Sequence, residues 1–321
     1  MRVFVTGATG QIGRPLVSAF LAAGHAVTAL VRSEAGAAEV RAAGAALLIG
    51  HLEDADTIER GVAGADLVVH LAGGLRGRGQ VDADRLNRGG TEALAASAER
   101  HAARLHGLVY ASSCAVYGDR SGLWLGEDYD PAPQTDYGRS KVAAESLLTA
   151  VADRSGLRVH VVRIAAVYGP GLRFMQEESI RAGRAWLPGE GRNHVPVVHV
   201  DDCAAALLAI GERGSPGIWH VSGPSTPTLK EFFAAVAKVT GGKPVRFWST
   251  WIPSVFQFGA ARQNEVLMSR LGRKPRFTTD NLRLFTASSR LRTDRLEKEL
   301  AFTWRWPDYR DGVAASCTAP P

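Results

Sequence analysis

Tyr137 and Lys141 stand four residues apart in the run Tyr137-Gly138-Arg139-Ser140-Lys141. On a helix that spacing puts both side chains on one face, a turn apart. A free phenol titrates near pH ~10 and is a poor base at neutrality. An ammonium group beside it favours the phenolate and lowers that value. The pair could then exchange a proton with a substrate hydroxyl or carbonyl oxygen while a hydride moves to or from a nicotinamide, and Lys141 could also bond the nicotinamide ribose. Ser113, at the end of the apolar run Leu108-Val109-Tyr110-Ala111, is placed to hydrogen-bond and orient the same oxygen.

A second constellation opens the chain. The β-rich run Val3-Phe4-Val5 feeds a turn with glycines at 7, 10 and 13, and a helical pattern follows at Leu16, Val17, Phe20 and Leu21. In such a strand–turn–helix unit, Gly7 permits a tight turn, Gly10 admits a ligand phosphate to the backbone, and Gly13 packs helix on strand. The helix N-terminus beyond Thr9, Gln11 and Ile12 then faces a pyrophosphate. Taken alone, three glycines are also what a tight turn needs; the position directly after a strand favours a dinucleotide. Nineteen residues past Gly13, the second strand ends in Arg32-Ser33. An acidic residue there would accept bonds from a free ribose 2′-hydroxyl, whereas a guanidinium pairs with a 2′-phosphate and Ser33 adds a short donor. This predicts NADP(H), with NAD(H) as the alternative; the competing reading of Arg32 is a solvent-facing strand end.

The elements that must position these groups follow from periodicity. Apolar runs at 25–32, 45–49, 66–71 and 108–111 alternate with helical patterns, which is the signature of βαβ units and a parallel sheet covered on both faces. The fourth strand runs into Leu71-Ala72-Gly73, small residues that let a flat cofactor approach the backbone, and His70 just before them reads as a packed structural histidine. A helix is expected from Asp82 to Ala102, carrying Asn87, and another from Tyr137 through Val151. Past Gly171 the alternation weakens, and Pro188, Gly189, Gly191 and Pro196 break the chain into short pieces. The expected architecture is α/β: a doubly wound parallel sheet of the Rossmann type in residues 1–171, revisited around 195–222 at Val197–Val200 and Ile218–Val221, with residues 172–321 mainly a smaller α+β substrate lobe. Thr228, with Glu231 three residues on, predicts a capping box. Trp248, Trp251, Phe256 and Phe258 are expected mostly in the core, with one or two lining an apolar pocket.

The totals exclude several classes. The 321 residues are 45% hydrophobic and 22% charged, as in an ordinary globular protein, with no apolar run long enough to span a bilayer and no secretory signal, so a cytoplasmic protein with no membrane partner is expected. Cys114, Cys203 and Cys317 have neither metal-ligand nor disulfide-framework spacing, and no metal is expected. The net charge of +6 is matched by the segment 270–310, which holds eleven Lys and Arg against five Asp and Glu, 11 − 5 = 6. Interleaved with Leu282, Leu284, Leu291 and Leu296, these look like solvated helix faces, and no aromatic-interleaved nucleic-acid motif accompanies them.

Taken in order, the chain resembles the extended short-chain dehydrogenase/reductase family, also called the NAD-dependent epimerase/dehydratase family. The matching runs are TGATGQIG at 6–13, HLAG at 70–73, Asn87 with Gly90-Thr91, SSCAVYG at 112–118, YGRSK at 137–141, RIAAVYGPG at 163–171 and HVDD at 199–202. The resemblance implies Ser113 as the catalytic serine, Tyr137 as acid/base, Lys141 as its assisting lysine, and Asn87 as a helix residue that helps position the site. For Asn87 a buried structural role is an equal reading. The resemblance is also compatible with a homodimer through the helices bearing Asn87 and Tyr137. The chain departs from the family at His51-Leu52, where Asp-Leu commonly contacts adenine, and at Ile164, where proline is common. Cys114-Ala115 replaces the acidic pair of sugar-nucleotide dehydratases, which argues against dehydration. The tail, with Leu271-Gly272-Arg273-Lys274-Pro275 and Trp306-Pro307, is similar to the branch of dihydroflavonol reductases and sterol dehydrogenases. These features predict an NADP-dependent oxidoreductase working on a ketone, aldehyde or alcohol of a mid-sized, partly apolar small molecule. The alternatives are a nucleotide-sugar 4-epimerase or reductase and, from another class, a non-catalytic NADP-binding sensor.

Overall fold

A computed structural model describes residues 1–73, 89–170, 176–247, 254–271, 273 and 278–318. In chain order the first half runs β1 (Arg2–Thr6), α1 (Gly13–Ala22), β2 (Ala26–Val31), α2 (Ala38–Ala42), β3 (Ala46–Ile49), α3 (Ala55–Ala63), β4 (Leu67–His70), α4 (Gly90–Arg100), β5 (Gly107–Ser113), β6 (Trp124–Leu125), α5 (Asp136–Ser155), β7 (Val159–Ile164) and β8 (Ala166–Tyr168). It continues α6 (Glu177–Arg181), β9 (Trp186–Leu187), β10 (Val197–His199), α7 (Val200–Arg213), β11 (Gly217–Val221), α8 (Leu229–Thr240), β12 (Arg246–Phe247), α9 (Ser254–Arg270), α10 (Thr279–Thr286), β13 (Arg290–Leu291), α11 (Asp294–Leu300) and α12 (Tyr309–Thr318).

Seven strands form one parallel sheet in the order β11-β7-β5-β4-β1-β2-β3. The order reverses beside β1, and in such sheets the crevice outside the carboxyl ends of the strands at that reversal takes the ligand. One face packs on α1 and α7 through Val5, Leu16, Phe20, Val69, Val162, Leu207 and Trp219. The other packs on α3, α4 and α5 through Phe4, Ile58, Val68, Leu94, Tyr110 and Leu148. Burial on both faces accounts for the continuous apolar runs of these strands. α5 begins where Thr135 accepts from the Gly138 N–H at 3.0 Å, and it ends at Gly156, whose φ of 71° is left-handed.

The strand expected at 197–200 divides from the one at 218–221. β11 joins the central sheet beside β7, but β10 pairs with β8 in a separate two-stranded ladder. The chain leaves the sheet in one step: Ala165 N still bonds Val221 O at 2.9 Å, while Ala166 N bonds Pro196 O at 3.0 Å. Around that ladder Tyr168, Leu187, Phe232, Phe233, Tyr309 and Val313 make a second core. The capping box forms, with Glu231 N bonding Thr228 Oγ1 at 3.2 Å and Thr228 N bonding Glu231 Oε2 at 2.8 Å. In the basic segment Leu282, Leu291 and Leu296 are buried, while Arg283 and Arg292 face solvent. Of the aromatic cluster, Trp248 and Trp251 lie outside the described residues, Phe256 is 66% exposed and Phe258 is half-buried. All three cysteines are free, and among the described residues no group of His, Cys, Asp and Glu could hold a metal and no helix is long and apolar enough to cross a membrane.

Candidate active site

The glycine turn between β1 and α1 lies against the end of β4. Gly7 has φ +74°, and a Cβ there would come within 2.7 Å of Ala72 N and 2.8 Å of the Leu71 carbonyl carbon. A Cβ on Gly13 would overlap the Gly7 oxygen, so α1 seats on the turn only because that position is bare. Gly10 and Gln11 are exposed, Thr9 is half-buried, and Ile12 at the head of α1 supplies no side-chain cap. The turn at Gly7, which leads into a ten-residue helix, thus lies bare against Leu71 and Ala72, a cradle whose backbone and helix dipole fit a dinucleotide pyrophosphate. Arg32 and Ser33, at the end of neighbouring β2, are exposed, and Arg32 makes no ion pair among the described residues. His51 is also exposed, and Leu52 beside it packs against Gly90.

Tyr137 and Lys141 project from the first turns of α5 toward the end of β5. The Tyr137 side chain faces Ser113, at the end of β5. Burial pushes the phenol up to about 12, with Cys114 adding to the rise and Ser113 opposing it. Lys141 is buried; its Nζ donates to Ala111 O at 2.7 Å and lies 4.8 Å from the centre of the Tyr110 ring and 5.9 Å from that of Tyr137. Burial brings this ammonium down to about 8, with Glu145 opposing. The sequence argument had Lys141 lowering the phenol. In the chain by itself burial is the largest influence on the phenol, because a phenolate taken out of water loses its hydration. The phenol is therefore protonated at neutral pH in the chain by itself.

Beneath this pair runs a layer that spacing alone did not single out. Glu145, four residues past Lys141 on α5, accepts from Ser112 Oγ and from Arg163, whose Nη2 lies 2.8 Å from Oε2. Arg163 Nη1 donates to the Tyr117 hydroxyl at 2.7 Å; that hydroxyl meets His220 Nε2 at 2.6 Å, and His220 Nδ1 meets Arg292 O at 2.9 Å. The stripe Tyr137, Lys141, Glu145 could have been read from the helical period; its partners on β5, β7 and β11 could not. His70, as expected, is structural: Nδ1 bonds Thr6 Oγ1 at 2.7 Å and Nε2 bonds Thr91 Oγ1 at 3.0 Å. Burial and the Lys141 charge bring it down to about 3, so the ring is neutral. Asn87 lies outside the described residues.

The fold thus gathers Gly7, Gly10 to Gly13, Leu71 to Gly73, Ser113, Tyr137 and Lys141 at the carboxyl edge of one sheet. Among curated relatives, the chain is 34% identical over 253 residues to a 4-hydroxy-2-methyl-3-oxo-4-farnesyl-3,4-dihydroquinoline-1-oxide ketoreductase of Stigmatella aurantiaca, covering 76% of this chain and 74% of that one. It is 30% identical to the ceramide reductase of Caulobacter vibrioides, over 81% of this chain and 83% of the relative. A UDP-glucuronic acid 4-epimerase from Bacillus cereus, solved in complex with NAD, superposes with a TM-score of 0.77 over 99% of this chain and 97% of its own, at 18% identity, a likeness of fold. The family model for the NAD dependent epimerase/dehydratase family matches residues 3–222, from the first strand through the last strand of the sheet. The chain belongs to that family, and is an enzyme of the NAD(P)-dependent dehydrogenase/reductase type.

Proposed function

We propose that this enzyme is an NADP-dependent reductase of a ketone or aldehyde on a mid-sized, partly apolar molecule, with Tyr137 delivering the proton. The observation that carries the reading is the buried Lys141, bonded to Ala111 O at the end of β5 and lying 5.9 Å from the centre of the Tyr137 ring on the same face of α5, next to the strand end that bears Ser113. A bound reduced nicotinamide supplies the hydride. Ser113 orients the substrate oxygen, and the Tyr137 hydroxyl gives that oxygen its proton as the carbonyl carbon becomes an alcohol carbon. Lys141 provides the positive charge that stabilises the phenolate left behind. A phenol held up to about 12 is protonated at neutral pH, which favours the reductive direction. The named substrates of the two reductase relatives, one farnesylated and one a ceramide, support an apolar substrate here.

The deciding experiment is NADPH oxidation with a panel of apolar ketones and aldehydes. Turnover should drop by about 10²–10⁴-fold in Tyr137→Phe, with NADPH still bound; undiminished turnover would remove the proton role. Consumption of no cofactor alongside conversion of a nucleotide sugar would point to epimerisation, and binding without turnover to a sensor. Arg32→Asp should weaken NADPH by about 10- to 100-fold, since a charge-assisted phosphate contact contributes roughly 1.5–3 kcal/mol, and should leave NADH nearly unchanged. Equal weakening of both would count against the 2′-phosphate contact.

A further inference from the structure

Ser112 stands next to the serine that faces Tyr137, and on the opposite side of β5 it pairs in register with Arg163 of β7. Both side chains converge on one carboxylate. Glu145 accepts from Ser112 Oγ and takes Arg163 through Nε at 3.2 Å and Nη2 at 2.8 Å, and all three residues are buried. This ties the last residues of β5 and β7 to the stripe of α5 that carries Tyr137 and Lys141. The groups facing Lys141 among the described residues are Glu145 and Tyr137 from α5, Tyr110 from β5 and His70 from β4. Of these, Tyr137, Tyr110 and His70 are neutral at pH 7 and Glu145 carries the negative charge.

We propose that Glu145 is a positioning residue of this site: paired with Arg163 and holding Ser112, its carboxylate locks the Ser113 end of β5 onto α5 and keeps Lys141 the cation that the Tyr137 phenolate needs. This rests on the proton role proposed for Tyr137. The carboxylate never touches substrate; it acts through Ser113 and Lys141. Burial lowers the proton affinity of Lys141, and the Glu145 charge opposes that fall.

The chain contains six lysines, Lys141, Lys230, Lys238, Lys243, Lys274 and Lys298, so Lys141 can be followed by NMR after labelling with [13Cε]lysine and assigned with Lys141→Arg. In the wild type its signal should titrate near 8. In Glu145→Gln it should titrate lower by about one pH unit or more, a tenfold change in proton affinity, and the alkaline fall of kcat/KM should move with it. Glu145→Asp keeps the charge but retracts it, so the titration should move less than in Glu145→Gln while kcat falls by about tenfold or more from misplacement of Ser113. Ser112→Ala should lower kcat without moving the alkaline limb. A Lys141 titration unchanged in Glu145→Gln would overturn the electrostatic half, and wild-type kcat in Glu145→Asp the positioning half. Should Glu145→Gln fail to fold, Glu145→Asp and Ser112→Ala decide through kcat. The NMR titration needs no substrate, so a failed Tyr137→Phe test would remove the reductase reading without touching the Glu145–Lys141 coupling.

Discussion

The two faces of the central sheet end differently. Toward α1 and α7 the buried side chains near the carboxyl ends are Val5, Val69, Ala111, Val162 and Trp219, with Ile164 and Val221 beyond the last two, an apolar layer. Toward α5, one residue further along each strand, they are Thr6, His70, Ser112, Arg163 and His220, all polar and all buried. Alternation along each strand puts neighbours on opposite faces. Five adjacent pairs therefore divide one edge into a face that only packs and a face in which every member is hydrogen-bonded. The difference follows from what lies across from each: α7 presents Leu207 and Ile210, whereas α5 presents Tyr137, Lys141 and Glu145. A face that must hold charge away from water has to be hydrogen-bonded throughout, because each buried group left without a partner costs its desolvation. Tyr110, one position deeper, is the exception, its hydroxyl buried with no partner among the described residues.

The largest effect should come from breaking the charged pair on the polar face. Arg163→Met strands the Glu145 carboxylate and should cost about 3–5 kcal/mol in urea unfolding, whereas Glu145→Leu/Arg163→Met together should recover most of it. A single variant as stable as the wild type would mean that this face is not a network. Next come two isosteric exchanges at adjacent positions. Thr6→Val leaves His70 Nδ1 without its 2.7 Å partner, and Val5→Thr puts an unpaired hydroxyl into the apolar layer, so each should cost about 1–3 kcal/mol. Tolerance of Val5→Thr would erase the distinction between the faces.

Acid should reveal the polar face as well. His70 is brought down to about 3 and His220 to about 4, chiefly by burial, while both return to about 6.5 when the chain unfolds. Their folded values are depressed, so the unfolded chain takes up protons that the fold refuses. Stability should accordingly fall as pH drops from about 6.5 toward 4, by about 1 kcal/mol per pH unit for each histidine. Thermal melts of His70→Asn and His220→Asn across that range should each show a shallower slope; an unchanged slope would place the acid sensitivity elsewhere. Smallest is Thr228→Ala, outside both faces, which removes one cap bond of α8 and should cost about 1 kcal/mol with no change in pH dependence.

Much of the sheet was legible because its strands are short apolar runs with glycine turns between them. The helix of Tyr137 and Lys141 and the capping box of Thr228 and Glu231 were legible because their contacts lie three or four residues apart. The pairing of Val197–His199 with β8 was not, since a three-residue apolar run fits either ladder and only the departure of the chain at Ala166 selects one. The exposure of Phe256 was not legible either, because an aromatic residue carries no sign of which side of its helix will be covered.

The sequence by itself determined the order of elements, the bare backbone at Gly7 and Gly13, and the single helical stripe of Tyr137, Lys141 and Glu145, all set by local sterics and period. Only the tertiary structure decided that Lys141 bonds Ala111 O, that burial raises the Tyr137 phenol and that Glu145 meets Ser112 and Arg163. Protonation depends on how much water the surrounding fold removes and on which charges it brings near. Those neighbours come from strands far apart in the chain, so no spacing within one segment encodes them.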